Sequence, residues 1–326
     1  MEFHLPLIFA LLSLAAVALA NHAAQPAPQL YWNSVLPNTQ MPRAISELLH
    51  PDSTNEEKST NTMNAVGNGK PTDHKGKPEI IPLRLQKYGK HYGSSADNPL
   101  HYKNVTIYFF MKDMRPGATM NFQFPRNSNT ATFLPRESAQ SIPFSSNKLS
   151  EIFNHFSMKP TSVEAKTIKE TIEECEAPGI KGEEQYCPTS LESMVDFSIS
   201  KLRTRNVQAI STEVLEKGAT MSMHKYTIMP GLKKLAGDKV VVCHKQNYPY
   251  AVFYCHAIKP TAAYVLSLKG DDGVKVKLVA VCHLDTSEWN PNHLSFQILK
   301  VKPGTIPICH FLPTDHIVWV PNHKSA

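Results

Sequence analysis

The sequence predicts an α+β protein: a helical segment followed by a mostly antiparallel β C-terminal domain, held together by disulfides. Three observations carry this. Residues 145–203 contain two capping boxes, each followed by apolar residues at helical spacing. From residue 225 onward, short runs rich in Val, Ile, Tyr and Phe alternate with turn residues. The six cysteines are an even number, and none falls in the N-terminal leader.

The chain opens on an apolar run, Leu5 to Ala20, that ends Ala18-Leu19-Ala20. Small residues at those positions predict a signal peptide over 1–20 and an exported, secreted protein, although the leader carries no Lys or Arg. The run is too short to span a bilayer comfortably, and no other segment is long and apolar enough, so no membrane association is expected once the leader is removed. Residues 21–52 form an arm. Pro42 followed by Ile45, Leu48 and Leu49 predicts a short helix, and two readings stay open: the aromatic head Tyr31-Trp32 docks on the main domain, or the arm is loosely held. Residues 53–104 are dominated by Ser, Thr, Asn, Lys and Gly; that composition buries too little apolar surface to offset ordering entropy and predicts a disordered spacer. Residues 105–326 form the domain proper. It begins with the β-prone run Val105 to Phe110, a turn at Arg115-Pro116-Gly117 and a second strand over 120–124. Asn104-Val105-Thr106 is a glycosylation sequon, with Asn104 the acceptor.

Thr161-Ser162-Val163-Glu164 opens a helix whose Ala165, Ile168, Ile172 and Cys175 share a face. Thr189-Ser190-Leu191-Glu192 opens another, with Leu191, Met194, Val195, Ile199 and Leu202 as its stripe. Cys175 ends the first helix and Cys187 begins the second, so a Cys175–Cys187 bond would close a helix-turn-helix, stabilising it by roughly 3 kcal/mol in chain-entropy models. The β runs fall at 239–246, 250–258, 262–269, 274–284, 294–301, 304–312 and 316–320, a spacing that suggests a sandwich or barrel.

Cys243-His244, Cys255-His256, Cys282-His283 and Cys309-His310 lie within that β region. Side chains alternate across a strand, so each cysteine and its histidine face opposite sides. Val274, Val276, Leu278 and Ala280 share the side of Cys282, while Lys275 and Lys277 share that of His283. The cysteines are therefore expected inward and the histidines outward or in a cleft. Export favours two disulfides among Cys243, Cys255, Cys282 and Cys309, with connectivity open. Two metal readings follow: the histidines converge on copper or zinc, or Cys and His jointly chelate zinc. The first is favoured, because adjacent ligands in a strand diverge. In a third reading the histidines are simply hydrogen-bonded on a polar face.

No phosphate-binding glycine loop, nucleophile elbow or zinc-protease helix is present. Glu173, Glu174, Glu183 and Glu184 read as a solvated face on a helix end and a loop. The formal charge of +6 favours polyanions, but the basic residues build no nucleic-acid module.

The four Cys-His pairs, with gaps of ten, twenty-five and twenty-five residues, resemble the BURP domain of plant extracellular proteins. Phe109-Phe110 is similar to that domain's opening aromatic pair and Trp319-Val320-Pro321 to its closing motif; Cys175 and Cys187 sit where such domains carry theirs, and the arm matches the family layout. Phe133 to Glu137 and Ile142 to Ser146 look closest to the dehydration-responsive branch, whose spacer repeats are missing here. The resemblance implies a protein of the cell wall or apoplast linked to stress or development; with it, the charge of +6 makes acidic wall polysaccharide (pectin) the expected partner, and the histidine reading above puts copper at His244, His256, His283 and His310. The alternative it implies is a copper-dependent autocatalytic peptide cyclase that joins a Tyr or Trp side chain to another residue of a core peptide. Gln86 to Tyr92 is the nearest candidate core, and it reads better as ordinary spacer.

Overall fold

The computed structural model describes residues 25–49, 108–122, 124, 131–215, 223–235 and 239–322. The predicted signal peptide, the spacer, Asn104 and the Gln86–Tyr92 segment lie outside the described residues. Two antiparallel sheets carry the chain from residue 108 onward. The larger, sheet A, contains β1 (Tyr108–Phe110), β12 (Ile308–Phe311), β11 (Lys275–His283), β10 (Thr261–Gly270), β6 (His224–Ile228) and β2 (Thr119–Phe122) in that order. Two short strands flank that path: β5 (Glu213–Val214) pairs with β11, and β7 (Lys233–Lys234) with β10. Sheet B runs β3 (Glu183–Tyr186), β9 (Phe253–Ile258), β8 (Val241–Lys245), β13 (Ile317–Pro321) and β4 (Val207–Ile210).

Helices precede and cover sheet B: α1 (Ala27–Val35), α2 (Arg43–Leu49), α3 (Arg136–Ser141), α4 (Leu149–His155), α5 (Val163–Glu176) and α6 (Leu191–Leu202). The capping chemistry sits one residue later than the sequence suggests. Ser162 accepts from the Ala165 N–H at the start of α5, and Ser190 and Ser193 cap each other at the start of α6. The run 294–301, expected as a strand, is instead helical over Leu294–Leu299 (α7). His293 caps it by accepting the Ser295 N–H, and local capping overrides a β-prone composition. A second correction concerns 183–186. These residues form strand β3 at the edge of sheet B rather than a solvated loop, so Cys187 follows a strand and not the start of a helix.

The arm is docked. Trp32 and Ile45 are buried, Trp32 meets Trp319 at 5.5 Å between ring centroids, and Phe133 N–H donates to the Leu48 carbonyl. With Leu191, Met194, Val195, Phe253, Cys243 and Cys255 they make one apolar cluster on the outer face of sheet B. Sheet A's own outer face carries Cys282 and Cys309 among Phe109, Phe122, Tyr226, Leu278 and Phe311, and the sheet curls so that Phe122 meets Phe311 at 4.6 Å. Between the sheets lies a third cluster: Val240, Val242, Val318 and Val320 from one side, Ala263, Val279 and Val281 from the other.

Candidate metal centre

Three disulfides form: Cys175–Cys187, Cys243–Cys255 and Cys282–Cys309. In the latter two the partners are directly opposed across neighbouring strands, Cys243 with Cys255 between β8 and β9, Cys282 with Cys309 between β11 and β12. Since the next residue on each strand points the other way, each disulfide places two histidines side by side on the face turned toward the opposite sheet. The cysteines do share a face with apolar residues, as alternation requires. The expectation that the histidines sit on an accessible side is corrected. His244, His256, His283 and His310 are all buried, with at most 8% of their surface exposed. Sheet B covers the His283 face from Val279 onward, and only its far end, with Lys275, stays exposed.

Four imidazoles thus converge at one end of the inter-sheet core as two facing pairs. His244 Nε2 lies 3.3 Å from His256 Nε2, and His283 Nε2 lies 3.4 Å from His310 Nε2. Between the pairs, ring centroids are 6.2 Å apart for His244 and His310 and 6.3 Å for His256 and His283. Every outer nitrogen has a neighbour. His244 Nδ1 is 2.8 Å from His316 Nδ1, His256 Nδ1 is 3.2 Å from Glu183 Oε1, His283 Nδ1 is 3.3 Å from Thr261 Oγ1, and His310 Nδ1 donates to the Phe311 carbonyl at 3.4 Å. The Phe311 carbonyl only accepts, so it holds the proton of His310 on Nδ1 and leaves Nε2 as a lone pair. Burial pushes His244 and His283 well below the usual imidazole range and lowers His310 to about 3 and His293 to about 4. Those rings are neutral at pH 7.

Paired imidazoles whose Nε2 atoms approach each other are a donor type that copper or zinc takes. Each pair offers two ring nitrogens to an ion. Joint thiolate ligation does not fit, because all six cysteines are in disulfides. Among the described residues, the only group of three side chains whose candidate ligand atoms all lie within 4.8 Å of one another is His224, Asp271 and Asp272. The four buried histidines are thus two two-ring half-sites rather than one compact set. In the exposed group each imidazole nitrogen faces its own carboxylate, at 2.9 and 3.5 Å, which pins the β10–β11 turn to β6.

Aromatic side chains wall the centre. Trp289 lies 4.9 Å from His283 and 4.7 Å from His293, and Tyr108 lies 6.4 Å from His310, between ring centroids. Glu183, His293, His316 and Trp289 were not legible as site residues, because none sits in a Cys-His pair.

The BURP domain family model matches residues 107–321. This chain belongs to the BURP domain family. It is 39% identical to BURP domain protein RD22 of Arabidopsis thaliana, over 98% of this chain and 99% of that one. It is 40% identical to BURP domain-containing protein 5 of Oryza sativa subsp. japonica, over 94% and 90%, and 46% identical to BURP domain-containing protein 3 of the same plant, over 75% and 57%. The four Cys-His pairs that carry the family resemblance are thus the residues that build the buried centre.

Proposed function

We propose that this BURP-domain chain is a secreted protein of the plant cell wall or apoplast, serving stress or development, and that it holds copper at His244, His256, His283 and His310. The observation that carries the metal reading is the convergence of four buried imidazoles as two pairs, with Nε2 atoms 3.3 and 3.4 Å apart. Cu(II) heads the affinity order for nitrogen sites among divalent ions of its row. Bound there, copper would supply one-electron redox chemistry. The chain's own residues do the rest: the Nε2 atoms bind, the Nδ1 partners orient, and the valine cluster with Trp289 and Tyr108 excludes water. The test is metal analysis of the secreted protein, then copper titration of four single His→Ala variants. Unchanged binding in all four removes the claim.

The wall partner we propose is acidic polysaccharide, pectin. Its support is the uncovered end of sheet A. Lys225, Lys233, Lys269 and Lys275 are exposed, and Lys269 stands directly opposite Lys275, an unfavourable like-charge pairing that a bound polyanion would relieve. Retention on polygalacturonate should fall as salt rises; equal retention at low and high salt, or none at either, counts against it.

The second reading is the copper-dependent peptide cyclase. It is favoured by the oxidisable Trp289 and Tyr108 beside the histidines. Intact mass under air with copper decides it. A cross-link removes two hydrogens from one peptide, with dioxygen taking them up as hydrogen peroxide. No mass loss in any tryptic peptide leaves a metal-binding wall protein.

A further inference from the structure

Sheet B ends on β4, and the outer edge of that strand opens into a cleft of about 750 Å³ between the arm and the β5 and β7 end of sheet A. We propose that this edge is a docking site for an acidic, extended peptide of another protein, which adds to sheet B as a further strand. The inference is independent of the copper and pectin readings.

The backbone of β4 decides which groups face the cleft. Successive residues of a strand turn their N–H and C=O to opposite edges. Asn322 N–H donates to the Asn206 carbonyl, so Asn206, Gln208 and Ile210 turn toward β13. Val207 and Ala209 turn the other way. Two observations agree with this. Val207 stands opposite Pro321, which has no N–H to give, and the Val207 carbonyl accepts the Thr39 hydroxyl of the arm at 2.8 Å. Thr39 thus closes one end of the edge. Ala209 is left with its N–H and its C=O both aimed into the cleft. Neither makes a hydrogen bond among the described residues, although Ala209 is only 7% exposed. A buried donor and acceptor side by side on an open edge are what an incoming strand pairs with.

The walls set the chemistry of that strand. Met41, Leu235 and Val265 offer apolar surface to one set of alternate side chains. Arg43, Lys233 and Lys277 line the same cleft against a single carboxylate, Glu213. Glu213 is taken up by Lys277 at 3.6 Å, and Arg43 is met by Glu47 one turn along α2. Lys233 is exposed and has no ion pair among the described residues. The lining therefore keeps a positive surplus that Asp or Glu at alternate peptide positions would answer. A uronic-acid polymer would answer the charge as well, but it carries no amide groups to pair with Ala209.

The probe is the peptide acetyl-Asp-Val-Asp-Val-Asp-amide, titrated into the full chain labelled with 15N-alanine. The Ala209 amide signal is assigned by its loss in Ala209→Gly. The peptide is expected to shift that signal and to slow its hydrogen exchange. The same peptide N-methylated at every residue should bind at least about fivefold more weakly, because the edge bonds are gone. Ala209→Pro removes an outward N–H and no β4–β13 bond, and should weaken the unmethylated peptide to a similar degree. Lys233→Glu should cost about fivefold. No Ala209 shift with peptide at millimolar concentration overturns the inference, and so does equal binding of the N-methylated peptide. Tetragalacturonate that moves the Ala209 signal where the peptide does not would make the cleft a sugar site, which overturns it too. Should Ala209→Pro fail to fold, the N-methylated peptide and Lys233→Glu decide it.

Discussion

The two half-sites are built by one device used twice, and they differ in what stands behind it. In both, a disulfide joins directly opposed strand residues and the next residue on each strand is a histidine. Behind the sheet A pair stand a hydroxyl, Thr261, and a backbone carbonyl, that of Phe311. Behind the sheet B pair stand a carboxylate, Glu183, and a further imidazole, His316. The covers differ too: helices and the arm lie over Cys243–Cys255, whereas the curled sheet A buries Cys282–Cys309 among its own aromatics. The lesson is that geometry comes from the strand-to-strand disulfide, while electrostatics comes from elements the motif does not specify.

Acid should strike both halves and produce the largest effect. His244, His283, His293, His310 and His316 all have lowered proton affinity in the fold. A group so depressed binds its proton in the unfolded chain first, so stability is full above the ordinary imidazole range and is lost as pH falls below about 6.5. Between pH 7 and 5 each of His244, His283, His293 and His310, whose proton affinity is the most depressed, should remove roughly 2 kcal/mol of unfolding free energy. Urea titrations of metal-free protein at the two pH values measure the sum, and His310→Gln should recover about one ring's share. A stability independent of pH would mean the rings are not buried neutral.

Next come the two crosslinks. Replacing both cysteines of either pair by Ala should cost about 3 kcal/mol, slightly more for Cys282–Cys309, which spans 27 residues, than for Cys243–Cys255, which spans 12. Thermal unfolding of the two double variants checks it. A much larger loss for the helix-covered pair would show that the cover, not the crosslink, sets the difference.

The smallest effect separates the halves most cleanly. Thr261→Val removes the hydroxyl beside His283 at nearly constant shape and should cost about 1 kcal/mol. The imidazole 15N signals of His283 should move and those of His244 should not. Movement of both would mean the half-sites are one coupled unit.

Much of this was legible in the sequence. Alternation placed Cys282 with Val276, Leu278 and Ala280, and the structure keeps them together. The other face was misread because Lys275 and Lys277 were weighed and Val279 and Val281 were not. One strand is long enough to leave its first half in water and put its second half under another sheet. The paired histidines were found because each is tied to a cysteine by adjacency. Glu183 was taken for part of a solvated face, since only the pairing of β3 with β9 shows that it reaches His256. His316 and His293 carried no signal at all, because their roles depend on contacts far away in sequence.

The docked arm has a consequence for the architecture of the whole chain. Leu48 is tied to Phe133, Thr39 donates to the Val207 carbonyl, and on the other side β1 is paired into sheet A at Tyr108–Phe110. Residues 50–107 are therefore bounded at both ends by the same folded body, which makes them an insertion rather than a tail. Lengthening an insertion is cheap, since doubling a closed loop costs only about 0.6 kcal/mol. Evolution is then free to stretch, shrink or rewrite that stretch without unseating the arm. A protease that cut within it would yield two fragments that travel as one particle until denatured.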